Sequence, residues 1–411
     1  MRNGIILICI LILGAITDAQ VKTGIEVLRE NDFSILHGKR VGLITNQTGV
    51  DRDFNSTIDI LFEADSVNLA ALFSPEHGIR GVSSAGENVE NHFDIKTGLP
   101  VYSLYGPTKK PTKEMLNNID VLVYDVQDIG LRPYTYISTL GLAMEAASEN
   151  NIEFIVLDRP NPLGGERIEG NVVENDFLSF VGQYKIPYIY ALTCGELAMM
   201  INGEGWLANS EKCKLTVIPM EGWKRNMVFR DTGLPWVPPS THVPYIFSPY
   251  YMAATGAIGE LGIVSNGVGY TLTFETMTAD WMDASRVADK MNELNLPGLK
   301  FRPISYKPYY STGKDTVMSG VQIYITDYNK AELLPVQFYF MQINHELYSP
   351  ANKDIFELAK ESRKKMFDLV MGTSKIRELF TKRYMVDDIT SYLNKGINSF
   401  RELSKKYYMY N

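Results

Sequence analysis

The triplet Glu76-His77-Gly78 sets a carboxylate and an imidazole side by side at a glycine turn. A carboxyl group sheltered from water there holds its proton more tightly and can serve as a general acid. The imidazole can donate to a ligand, orient Glu76 or satisfy a buried carbonyl, and Arg80 is near enough to pair with Glu76 or with an anionic group. A second cluster is Asp125-Val-Gln127-Asp128 with Arg132, Tyr134 and Tyr136. In an extended segment, alternation puts Arg132, Tyr134 and Tyr136 on one face. A guanidinium among tyrosines suits a sugar or a carboxylate, because aromatic faces stack on rings and arginine forks carboxylates. Asp128 and Arg132 are expected to brace this loop, with Asp125 and Gln127 turned toward a crevice. The third cluster, Asp158-Arg159-Pro160-Asn161-Pro162, is stiffened by two prolines with fixed φ. Asn46 and Gln47 add neutral donors and acceptors of the kind a polyol needs, and Glu169 and Glu174 are expected near the same crevice.

Each cluster directly follows a short apolar run. Val41-Gly-Leu-Ile44, Leu69-Ala-Ala-Leu-Phe73, Val121-Leu-Val-Tyr124 and Phe154-Ile-Val-Leu157 have no polar alternation. Such runs suit strands covered on both faces, as in a parallel sheet. Helix signals lie between them: Thr23-Gly-Ile-Glu26 and Thr193-Cys-Gly-Glu196 are capping boxes, Ser56 and Thr112 can cap short helices, and residues 138–150 are rich in Ala, Leu and Met. Alternating strands and helices predict an α/β fold: a Rossmann-like three-layer sandwich with a mainly parallel sheet over residues 20–222. Ligands of open α/β sheets bind at the carboxyl ends of the strands, which is where the polar clusters fall.

The pattern changes beyond a proline-rich stretch holding Pro235, Pro238, Pro239, Pro244 and Pro249, which reads as a long irregular connection. Residues 256–269 are punctuated by glycine, Val321, Ile323 and Ile325 alternate with polar neighbours, and helices are expected from about Leu334 onward. Residues 223–411 are therefore expected to form a smaller auxiliary α+β domain.

At the N-terminus, Arg2, the apolar run Ile5 to Leu13 and the small residues up to Ala19 read as an export signal over residues 1–19. The run is too short to span a membrane, and no other segment qualifies. A periplasmic or secreted protein is expected. Cys194 and Cys213 read as two buried free thiols.

Several classes of function are disfavoured. A net charge of −8 without a basic stripe argues against nucleic-acid binding. There is no GxGxxG after the first strand, no P-loop and no GxSxG elbow, so no cofactor is expected. The Glu76–His77 pair has no second histidine at ligand spacing, so no metal is expected.

The long, ordered motifs Ser74-Pro-Glu-His-Gly-Ile-Arg-Gly81, Asp125-Val-Gln-Asp-Ile-Gly-Leu-Arg132 with Tyr134-Thr-Tyr136, and Leu157-Asp-Arg-Pro-Asn-Pro162 resemble the signature blocks of the NamZ-like exo-β-N-acetylmuramidases. Gly195-Glu-Leu197, Asn202-Gly-Glu-Gly-Trp206, Gly259-Glu-Leu-Gly262 and Gly267-Val-Gly-Tyr270 extend the resemblance over residues 21–407. It implies removal of non-reducing-terminal N-acetylmuramic acid from peptidoglycan-derived saccharides, in a cleft between the two domains. It also implies Glu76 as acid/base, with His77, Asp125, Gln127, Arg132 and Tyr134 lining the pocket and Glu260 near it. Glycoside hydrolysis needs a second group opposite the acid, here Asp125, Asp128, Glu169 or the substrate's 2-acetamido group. The lactyl carboxylate of such a substrate calls for a cation, from Arg80, Arg132 or Arg159. Two other readings are a non-catalytic exported sugar-binding protein, which would need no shielded acid, and an amide or ester hydrolase, which would need a nucleophile or metal.

Overall fold

The computed structural model describes residues 20–76, 78–80, 92–208 and 211–411. The expected export signal and His77 lie outside the described residues. All four apolar runs form strands: β1 (Arg40–Thr45), β2 (Asn68–Ser74), β5 (Val121–Asp125) and β6 (Glu153–Leu157). They are joined in one seven-stranded sheet by β3 (His92–Phe93), β4 (Pro100–Ser103) and β9 (Lys214–Ile218), in the order β3-β4-β2-β1-β5-β6-β9. Every pair is parallel except β3 with β4. Between β6 and β9 the chain forms a small antiparallel ribbon of β7 (Ile168–Glu169) and β8 (Ile189–Tyr190).

Side chains along the central strands divide between two cores, which is why these runs are apolar throughout. Leu122, Tyr124, Phe154 and Val156 point to one face; Val121, Val123, Ile155 and Leu157 point to the other. On the second face lie helices α1 (Gly24–Glu30) and α2 (Thr57–Phe62), through Ile25, Leu28, Ile58 and Leu61. Helix α3 (Lys113–Leu116) adds Leu116 to the first face, where α4 (Tyr136–Glu149) and α5 (Cys194–Gly203) bury Leu140, Met144, Leu197 and Ile201. The expected capping boxes open α1 and α5, and Ser56 caps α2. The result is the three-layer α/β sandwich, with Cys194 and Cys213 as buried free thiols.

From β1 the chain winds outward through β2 to β4, then returns to β5 on the other flank of β1. This reversal makes the carboxyl ends of β1 and β5, where Thr45 pairs with Asp125, the topological switch point.

The second half is the smaller α+β part. Its three-stranded antiparallel sheet runs β10 (Thr276–Ala279), β12 (Met318–Ile325), β11 (Leu299–Tyr306), accompanied by α6 (Ser248–Glu260) and α7 (Ala284–Glu293). Helices α8 (Val336–Tyr348), α9 (Ile355–Leu358) and α10 (Glu361–Met371) follow, then three short helices to Ser404. The first part of the glycine-punctuated segment, up to Glu260, is the last stretch of α6. At Gly259 the missing side chain lets Asn266 approach, since a Cβ there would lie 2.4 Å from its amide nitrogen. No helix among the described residues is long and apolar enough to cross a membrane.

Candidate active site

Glu76 stands two residues beyond β2 and is half-buried in a cleft of about 370 Å³. The first half contributes Glu76, Tyr105, Tyr134 and Thr135; the second contributes Ser240, His242, Glu260, Asn266 and Arg363. The hydroxyl of Thr135, just before α4, donates to Glu76 Oε2 at 2.7 Å. The Tyr105 hydroxyl also lies against Glu76. Burial, and after it the Glu76 carboxylate, pushes that hydroxyl above its ordinary value, so it stays protonated as a donor. Tyr134 packs edge-on against Tyr136, with ring centroids 4.8 Å apart, and Ser240 sits beside its hydroxyl.

On the facing wall, Glu260 ends α6 and Arg363 comes from the first turn of α10. They stand 3.9 Å apart, and the guanidinium is 55% exposed. Burial pushes the Glu260 carboxyl up, against the opposing pull of Arg363. A pair this open leaves arginine donors available to a second carboxylate.

Of the residues the sequence singled out, the structure brings Glu76, Tyr134 and Glu260 to this cleft. The others among the described residues do not line it, and a few of them, Gln47, Arg132 and Tyr136, bond to the segments that do. Asp125 is fully buried and takes a bidentate bond from Arg159, at 2.9 Å for Nη2, with the Thr57 hydroxyl on the same carboxylate. The guanidinium of Arg159 also reaches the Val50 carbonyl. Neither residue turns to the crevice, because their opposite charges meet where β5 lies beside β6. The expected Asp128–Arg132 brace is also corrected. Arg132 is fully buried and donates to the carbonyls of Asn171, Ile186 and Val370 at 2.8 to 2.9 Å, which pins three segments together. Asp128 instead accepts from the Tyr190 hydroxyl and the Gly130 amide, and burial pushes its carboxyl up to about 6.

The neutral groups are similarly engaged. Asn46 Oδ1 accepts from Thr48, Gln47 donates to the Pro238 and Pro239 carbonyls, and Gln127 donates to those of Asp128 and Pro160. Asn161 bridges Leu163 and Leu192, and the Tyr136 hydroxyl donates to the Pro239 carbonyl at 2.6 Å. Arg80 pairs with Asp94 at 2.9 Å. Gln47 and Tyr136 thus tether the proline-rich connection that carries Ser240 and His242 into the cleft.

Asp158 anchors the chain's end. It accepts from the Tyr410 hydroxyl at 2.6 Å, the Thr193 hydroxyl at 2.7 Å and the Gly195 amide at 2.8 Å. Burial outweighs these three bonds and pushes its carboxyl from 3.8 up to about 7. A folded-state value above the unfolded one means that the folded protein binds the proton more tightly. Stability from this group is therefore full below about pH 4 and is lost as pH rises toward 7. The Asp158→Asn variant is expected to show a flatter melting temperature across that window than the parent, as measured by calorimetry at stepped pH. Parallel curves for the two proteins would contradict this.

Glu169 lies elsewhere. It accepts from the Leu333 and Leu334 amides and pairs with Arg167 on the wall of a larger cavity, of about 590 Å³, which shares no lining residue with the first. Of its four lining cations, Arg167 and Arg225 are tied to carbonyls and to Glu169 and Glu196, and Lys330 pairs with Asp327, while Arg401 also lines the wall. The smaller cleft has a carboxylate from each half of the chain, Glu76 and Glu260. No group of three or more His, Cys, Asp or Glu able to hold a metal occurs among the described residues.

Sequence reasoning missed Tyr105, Thr135, Ser240, His242, Asn266 and Arg363. The proline-rich connection was itself a signal for Ser240 and His242. Arg363 gave none, since Glu361-Ser-Arg-Lys-Lys365 reads as an ordinary solvated helix start.

Comparison with known proteins agrees with this two-part build. The family descriptions "Exo-beta-N-acetylmuramidase NamZ, N-terminal" and "C-terminal" match residues 41–246 and 250–410. The peptidoglycan β-N-acetylmuramidase NamZ of Bacillus subtilis (strain 168) is 44% identical over 391 residues, spanning 95% of this chain and 92% of that protein. A crystal structure of a DUF1343 family protein from Bacteroides fragilis superposes with a TM-score of 0.91 at 55% identity, covering 95% of this chain and 99% of the other. A second DUF1343 structure from the same organism gives 0.75 at 27% identity, covering 96% and 99%. The chain belongs to the NamZ family of exo-β-N-acetylmuramidases.

Proposed function

We propose that this chain is an exported, exo-acting β-N-acetylmuramidase that releases N-acetylmuramic acid from the non-reducing end of peptidoglycan fragments, with Glu76 as its acid/base. The observation that carries the reading is Glu76 itself: of the acids in the sequence's polar clusters, it is the one that reaches the cleft. Glu76 protonates the glycosidic oxygen as its bond to the sugar breaks, then takes a proton from the water that completes hydrolysis. Thr135 and Tyr105 hold the carboxylate in place throughout. Asp125, Asp128 and Glu169 lie outside the cleft, which leaves Glu260 and the substrate's own 2-acetamido group for the second role.

The lactyl carboxylate is read by Arg363. Arg80, Arg132 and Arg159 are taken up by Asp94, by three carbonyls and by Asp125, whereas Arg363 lines the cleft with only a loose partner. A charge-assisted bond contributes about 1.5–3 kcal/mol, so Arg363→Ala should raise KM for a β-N-acetylmuramide roughly 10- to 100-fold and change kcat less. An unchanged KM would remove Arg363 from substrate recognition.

The activity is tested with a glycan fragment that carries N-acetylmuramic acid at its non-reducing end, with products separated by mass. Free N-acetylmuramic acid and a fragment one sugar shorter are expected. Internal cleavage products, or no product, would contradict the reading.

A further inference from the structure

An exposed aromatic shelf adjoins the cleft on the second half of the chain. Tyr309 is 71% exposed and Tyr310 50%. The residue after them, Ser311, lines the cleft itself. The Tyr310 hydroxyl lies 3.0 Å from His242 Nε2, and the two rings are stacked at 29° with centroids 6.1 Å apart. Tyr309 stacks at 28° on Tyr270, and its amide donates to the Gly269 carbonyl at 2.7 Å. Gly269 has a φ of +89°, and a Cβ there would come within 2.0 Å of the Tyr310 carbonyl oxygen. The loop is therefore seated on bare backbone and holds its rings in fixed positions while they face solvent. Exposed aromatic groups beside a groove mark ligand contact.

A chain of contacts links the shelf to the acid. Thr135 holds Glu76, the adjoining Tyr134 faces Ser240, and two residues on, His242 meets Tyr310. A cleft at the lower end of ligand-pocket volumes suits a single N-acetylated hexosamine, so the rest of the glycan must lie outside it. We propose that Tyr310, backed by His242, is the stacking platform for the N-acetylated hexosamine on the leaving side of the scissile bond. The proposal rests on the muramidase reading. It makes this a site for two sugars, one enclosed and one laid on an aromatic face.

The test is a titration of the Glu76→Gln protein with N-acetylmuramic acid alone and with the disaccharide in which N-acetylmuramic acid, at the non-reducing end, is β-linked to N-acetylglucosamine. The disaccharide should bind more tightly. Adding Tyr310→Ala should weaken disaccharide binding about tenfold and leave the monosaccharide within about twofold, while Tyr310→Phe keeps the ring and most of the affinity. Equal losses for both sugars, no loss for either, or a Phe variant as weak as Ala would overturn the platform. A Glu76→Gln protein that binds neither sugar would overturn the muramidase reading itself, and the platform with it.

Discussion

Glu76→Gln should lower turnover of a β-N-acetylmuramide by about 10²- to 10⁴-fold, the usual contribution of a positioned proton donor. The amide keeps the shape of the carboxyl group and can still accept from Thr135, so the melting temperature should stay close to that of the parent. Steady-state kinetics and a thermal melt on the same preparation check both halves. Near-normal turnover would remove Glu76 from the chemistry. A collapse of stability would instead mean that its bond to Thr135 holds the fold, and the lost activity would then say nothing about proton transfer.

The second large effect belongs to Asp125, and it has the opposite character. Asp125→Ala leaves the Arg159 guanidinium buried beneath the sheet's switch point with the Val50 carbonyl as its remaining recorded partner. Breaking one side of a buried ion pair costs about 3–5 kcal/mol, a large part of a domain's total stability. Denaturant unfolding should show that loss, with activity falling as the folded fraction falls. A variant of full stability and no turnover would return Asp125 to the catalytic role that its neighbours in sequence suggest.

These two carboxylates show what the sequence reveals and what it conceals. Both follow apolar strands and both sit among polar residues, so composition marks them equally. The strands themselves are legible because a sheet covered on both faces demands apolar residues at every position, and four such runs leave little choice of architecture. The fate of each polar cluster depends on partners far along the chain. Asp125 meets Arg159 only because β5 and β6 are neighbours, and Arg132 finds the Val370 carbonyl 238 residues away. An arginine beside tyrosines looks the same in sequence whether it grips a ligand or three carbonyls. The far wall was harder still, since Arg363 becomes distinctive only when α10 is placed across the end of α6.

The most direct measurement offers the protein a chromogenic β-N-acetylmuramide and, separately, the matching N-acetylglucosaminide, which differ by the lactyl group. Release of chromophore from the muramide alone is the expected result, and it requires both the acid and the carboxylate-reading wall. Equal release from the glucosaminide would contradict lactyl recognition, and release from neither would contradict the muramidase assignment.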